Sequence, residues 1–77
     1  MIVRGRGAQA GDVLAHILAN GWSVILQRGE RKYLRKKGQP DKVWILPDHE
    51  TIGESTLRDV IGPLYGLDDE AVESLLS

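Results

Sequence analysis

Hydrophobic positions change from helical spacing to alternation and back along the chain. Val13, Leu14, Ile17 and Leu18 stand at i, i+1, i+4 and i+5, one apolar stripe that predicts an amphipathic helix from Gln9 or Asp12 to Asn20. Asp12 suits its first turn, and Gly21 suits the left-handed position just past its end. Trp22, Val24 and Leu26 then alternate with Ser23, Ile25 and Gln27, predicting a strand whose Trp22, Val24 and Leu26 meet the helices. Arg28-Gly29 is a tight-turn signal, and Arg31 to Lys36 continues as a second strand containing Tyr33 and Leu34. Residues 36–42 hold Gly38 and Pro40 among charges, a second turn, and Val43 to Leu46 forms a third strand stopped by Pro47. Three antiparallel strands in a meander make the shortest connection.

Residues 48–54 read as a loop, after which Ser55 is the expected N-cap of a helix with Leu57, Val60, Ile61 and Leu64 on its apolar face. Gly62 and Pro63 should distort or end that helix, because proline has no N–H for the helical ladder. Gly66 breaks the chain, and Asp68 caps a last short helix with Leu67 and Val72 placed as a hydrophobic staple. Residues 1–8 read as a flexible basic arm and 9–77 as a single domain. The expected fold is α+β, a two-layer α-β-β-β-α arrangement with a three-stranded antiparallel sheet, helices on one face and a short C-terminal helix. The strand register stays open, since Tyr33/Leu34 and Val43–Leu46 are apolar on both parities. An outer face holding Ile25, Leu34 or Trp44 among Arg and Lys would be a contact surface.

Composition sharpens this outline. A chain of 77 residues that is 42% hydrophobic and 27% charged is long enough for one folded domain and too short for two. It has no cysteine, so a disulfide framework, a thiolate metal site and a cysteine nucleophile are excluded together. With no membrane-spanning or signal segment, the cytoplasm is the default location. The formal net charge of −1 conceals a division: residues 28–42 carry +5, whereas residues 43–77 carry −7. Screening confines each charge to about 10 Å or less at cellular salt, so the basic block acts locally whatever the total. Arg28, Arg31, Lys32, Arg35, Lys36 and Lys37 would track an RNA backbone while Trp44 or Tyr33 stacks a base.

Other chemistry is sparse. His16 lies off the apolar stripe of its helix, four residues after Asp12, and reads as a solvated surface group. Two histidines more than thirty residues apart make a poor metal site, and no motif calls for a metal or any other cofactor. No serine lies in a nucleophile-elbow context, and Gly5-Arg6-Gly7 lacks the strand, helix and Lys-Ser/Thr of a phosphate loop.

From Asp12 to Leu76 the chain resembles the HicA-like (YcfA) toxins, small bacterial mRNA interferases paired with HicB antitoxins. The resemblance rests on an ordered series: Asn20-Gly21-Trp22, Arg28-Gly29 followed by Tyr33, Leu46-Pro47, His49, Ser55-Thr56-Leu57-Arg58, Ile61, and Gly66-Leu67-Asp68 with Glu70. It implies a double-stranded-RNA-binding-like fold, an RNA target and a HicB-like antitoxin as partner. The family usually places a catalytic histidine just after the hairpin glycine. Here Glu30 or Arg31 occupies that position, depending on the direction of counting, so the family's catalytic residue is not carried over.

Metal-independent RNA cleavage needs a base for the 2′-hydroxyl, an acid for the leaving oxygen and cationic help for the phosphorane. Glu30 as base, Arg31 as electrostatic partner and His49 as proton donor or phosphate contact are the candidates left. A double-stranded-RNA-binding domain also carries a lysine cluster at the start of its last helix. This chain has only Arg58 there, so duplex recognition is disfavoured. Two functional expectations follow. One is an RNA-binding toxin component with reduced, relocated or lost catalysis. The other is a non-catalytic interaction module that binds an antitoxin or forms a homodimer.

Overall fold

A computed structural model describes residues 6–77. Its order is β1 (Gly7–Gln9), α1 (Ala10–Ala19), β2 (Ser23–Arg28), β3 (Arg31–Arg35), β4 (Lys42–Trp44), β5 (Thr51–Gly53), then helix throughout residues 54–65, here α2, and α3 (Asp69–Leu76). β2, β3 and β4 form an antiparallel sheet in that order, and the helices pack on one of its faces. The α+β class and the three-stranded meander are as the hydrophobic spacing predicts.

Two elements were not anticipated. Gly7 and Ala8 of the predicted arm, together with Gln9, form a strand; Arg6 of that arm is exposed, and residues 1–5 lie outside the described residues. Thr51–Gly53, expected within a loop, is its antiparallel partner, with Ala8 opposite Ile52 and both side chains buried. Each strand has one buried position in three, too brief an alternation to stand out in the sequence.

Helix α1 buries Val13, Leu14 and Ile17 as expected, but Leu18 remains exposed. Gln9 occupies its N-cap position and Gly21 follows with a φ of +98°. Ser55 is not a cap: Gly53 precedes the helix, which begins at Glu54. Gly62 and Pro63 distort α2, as expected, but do not end it. Glu54–Thr56 leads into a π-helical turn, Leu57–Ile61, and helix resumes over Gly62–Tyr65. The Gly62 N–H reaches back five residues to the Leu57 carbonyl, widening the helix just before the residue that has no N–H.

The wide turn also changes which residues face inward. Leu57, Ile61 and Tyr65, each four apart, are all buried, while Val60 and Leu64 are exposed. In an unbroken α-helix eight residues accumulate about 80° of drift, and Tyr65 would turn away from Leu57. Held inward, Tyr65 meets both tryptophans edge to face, with centroids 5.2 Å from Trp22 and 5.9 Å from Trp44. The Trp22 indole donates to the Tyr65 carbonyl at 3.2 Å, and the Trp44 indole to the Leu46 carbonyl at 3.1 Å. Gly66, at φ +74°, takes the left-handed conformation that ends α2. Asp68 caps α3, accepting from the Ala71 N–H at 2.8 Å, with Leu67 and Val72 buried beside it.

Candidate nucleic-acid interface

Strand pairing fixes which face of the sheet is open. Leu34 and Trp44 are buried under the helices, so their face is the inner one. Lys32 lies opposite Trp44 and Lys42 opposite Leu34, which places both lysines on the inner side, half-buried. Arg31, Tyr33 and Arg35 alternate with them and therefore point outward, with Val43 opposite Tyr33.

An irregularity in β2 completes the outer face. Val24 pairs with Leu34, but the next pair is Leu26 with Tyr33, leaving Ile25 as an extra residue. Beyond this bulge the alternation is reversed: Leu26 and Arg28 point outward and Gln27 inward. Of Trp22, Val24 and Leu26, expected to share the buried face, only Trp22 is buried: Val24 lies on the inner side but is exposed, and Leu26 points outward. The face centres on Tyr33, flanked along β3 by Arg31 and Arg35 and across the sheet by Leu26 and Val43, with Arg28 opposite Arg31.

The predicted basic residues separate accordingly. Arg28, Arg31 and Arg35 are exposed on this face. Lys37 is exposed in the β3–β4 turn, and Lys36 is half-buried, its side chain lying over Gly21. Arg35 is held by a bidentate pair with Asp41 at 3.0 and 2.9 Å. The guanidinium keeps the Asp41 carboxyl below the usual carboxylate range, and its own proton is held more tightly in return.

Trp44 requires correction. It is 2% exposed, its ring against Tyr65 and its N–H already bonded, so no ring face remains for a nucleobase. Leu34, also considered for the open face, is fully buried. Tyr33, half-buried and outward-pointing, is the aromatic of the open face, while Leu26 and Val43 are its unforeseen members. Only the bulge brings Leu26 there, and nothing in the apolar run Val24-Ile25-Leu26 marks its position.

The candidate cleavage residues are not gathered into one constellation. Glu30 is exposed in the β2–β3 turn beside Arg31, whereas His49 is exposed in the turn before β5. Asp48, adjacent to His49, accepts from the Gly11 N–H of α1 through its backbone carbonyl at 3.0 Å. Among the described residues no hydrogen bond joins Glu30, Arg31 and His49, and no cluster of three or more His, Asp or Glu could hold a metal ion.

A second charged assembly lies apart from the sheet face. Arg6 donates to Glu54 at 2.8 and 3.2 Å and to Glu73 at 3.0 Å; Arg58 donates to Glu54 at 3.0 Å and also to Glu73. Arg58, the one base near the start of α2, is thus committed to carboxylates. The two guanidiniums, Arg6 first and Arg58 second, hold the Glu54 carboxyl down to about 2. This network ties Arg6 to α2 and α3.

Among the described residues no helix is long and apolar enough to cross a membrane. Comparison of the chain with protein-family models, curated proteins and solved structures found no match in any of the three.

Proposed function

We propose that this protein is an RNA-binding toxin component of the HicA-like (YcfA) kind, and that single-stranded RNA crosses the outer face of β2–β4. One observation carries the reading: Tyr33 stands at the middle of a sheet face that none of the described elements covers, with Arg31 and Arg35 on either side and Arg28 across the hairpin. Guanidiniums pair with phosphates and a phenol ring stacks on a base, the combination that holds a single strand without reading its sequence. The central α-β-β-β-α order is compatible with a double-stranded-RNA-binding-like class. With Arg58 engaged by Glu54 and Glu73, a single strand is favoured over a duplex. Binding is the core of the proposal, and replacement of Glu30, Arg31 and His49 tests whether cleavage accompanies it.

Fluorescence anisotropy with a labelled single-stranded RNA provides the test. About three phosphate contacts give a slope near −2 for log K against log salt. Arg31→Ala with Arg35→Ala should reduce both the affinity and the slope. Binding that is undetectable or insensitive to salt overturns the proposal.

A second reading is favoured by Leu26, Val43 and Ile45, which are exposed on or beside the same face. In that reading the chain is a non-catalytic module whose face is covered by a protein partner, such as an acidic HicB-like antitoxin. Co-purification of an acidic partner that blocks no RNA binding, because none occurs, would select it.

A further inference from the structure

We propose that a second copy of this chain pairs antiparallel along the uncovered edge of β2, with Ser23 opposite Arg28 and Val24 opposite Gln27. In the order β2-β3-β4, one side of β2 has no neighbouring strand among the described residues, so its backbone donors and acceptors there face no other described strand. All six residues of β2 are exposed, including the consecutive aliphatics Val24 at 40%, Ile25 at 43% and Leu26 at 47%. Proteins usually protect such an edge with charge, proline, a bulge or a very short strand. β2 runs for six residues without lysine or proline, with its one charge at the end and its one bulge at Ile25, whereas the opposite edge, β4, is three residues long and is soon followed by Pro47.

The bulge sets the register in which a second copy fits. In a regular strand Ser23 and Arg28 point to opposite faces, and paired residues of two antiparallel strands must share a face. Here Ser23 is level with Arg35 and Arg28 with Arg31, both outward, while Val24 and Gln27 both point inward. β2 therefore matches its own copy about a two-fold axis, each of these four positions meeting one of the same orientation.

Charge agrees with this register. The single charged residue of β2, Arg28, lies at one end, so the two copies place theirs about 17 Å apart, beyond the screening length of about 8 Å. Each Arg28 approaches the other copy's Ser23, beside Arg35, whose charge is compensated by Asp41. The result is a six-stranded sheet with both outer faces on the same side. It requires no RNA, so its failure and that of the RNA proposal are separate results.

Sedimentation velocity on the full chain tests the pairing. A strand pair this short is a small interface, so association is expected at roughly 10–100 μM. Ile25→Lys should leave a monomer with unchanged circular dichroism and melting temperature. The cysteine-free sequence allows a second test: the double variant Ser23→Cys/Arg28→Cys should oxidise to a covalent dimer, whereas Ser23→Cys alone should not. Wild type that stays monomeric at about 500 μM, well above that range, overturns the proposal. So does a folded Ile25→Lys variant that still dimerises, or a double variant that fails to cross-link. If Ile25→Lys does not fold, cross-linking decides.

Discussion

Leu26 stands directly across the β2–β3 ladder from Tyr33, one residue out of step with the neighbouring pair Val24 and Leu34. That offset places Leu26 beside Tyr33 on the outer face and provides the ring with an apolar neighbour. Tyr33→Ala should therefore remove a stacking platform. At about 1–3 kcal/mol per stacked base, affinity for single-stranded RNA should fall roughly 5- to 150-fold. Tyr33→Phe should retain most of it. Anisotropy titrations distinguish the variants, and wild-type affinity in Tyr33→Ala would remove Tyr33 from the interface.

Arg35 is occupied by Asp41, which competes with any phosphate for the same guanidinium. Asp41→Asn removes that carboxylate's charge and makes the guanidinium more available. RNA affinity at low salt should rise by about 3- to 10-fold, since Asp41 no longer competes with the phosphate for the Arg35 guanidinium. Because the pair is exposed, stability should change little. Unchanged affinity in Asp41→Asn would place the RNA path away from Arg35.

Local signals with a single dominant cause were legible in the sequence. Asp68 caps α3 because a carboxylate three residues before a helical N–H reaches it, and Gly66 ends α2 because a left-handed φ costs glycine little. The basic hairpin was equally legible, since the placement of charge along the chain locates it. The bulge at Ile25 was not, because Val24-Ile25-Leu26 offers three aliphatics of similar size to either face. Trp44 was misplaced for a related reason: Val43, Trp44 and Ile45 are all apolar, and Trp44 is selected for the core by contact with Tyr65, a residue distant in sequence. Tyr65 is itself aimed inward by a π-helical turn that the spacing of Leu57, Val60, Ile61 and Leu64 did not announce.

That turn leads to a prediction at Gly62. A Cβ built there would lie 3.1 Å from the Leu57 carbonyl oxygen and 3.2 Å from that of Leu67, both backbone atoms with little room to yield. The Gly62 carbonyl also accepts the Leu67 N–H at 2.8 Å, so movement of this residue strains the connection to α3. Gly62→Ala should destabilise the fold by about 1–3 kcal/mol although alanine is the better helix former. A urea melt should show the lower midpoint. A variant as stable as wild type would mean that the two carbonyls can move aside.

Glu54 supplies a pH prediction whose sign follows from its two arginine neighbours. Its carboxyl is held at about 2 against an ordinary 4.5, so between those values the unfolded chain binds the proton more readily than the folded one. The Glu54 contribution is therefore fully present above about 4.5 and is lost as pH falls toward 2. Asp41, lowered by Arg35, acts in the same direction. In Glu54→Gln the carboxylate is absent at every pH. The urea midpoints of wild type and variant should thus differ at neutral pH and converge as the solution is acidified. The network is solvent-exposed, so the neutral-pH difference should also shrink as salt is raised. A difference that persists undiminished at pH near 2 would show that Glu54 stabilises the fold through packing rather than charge.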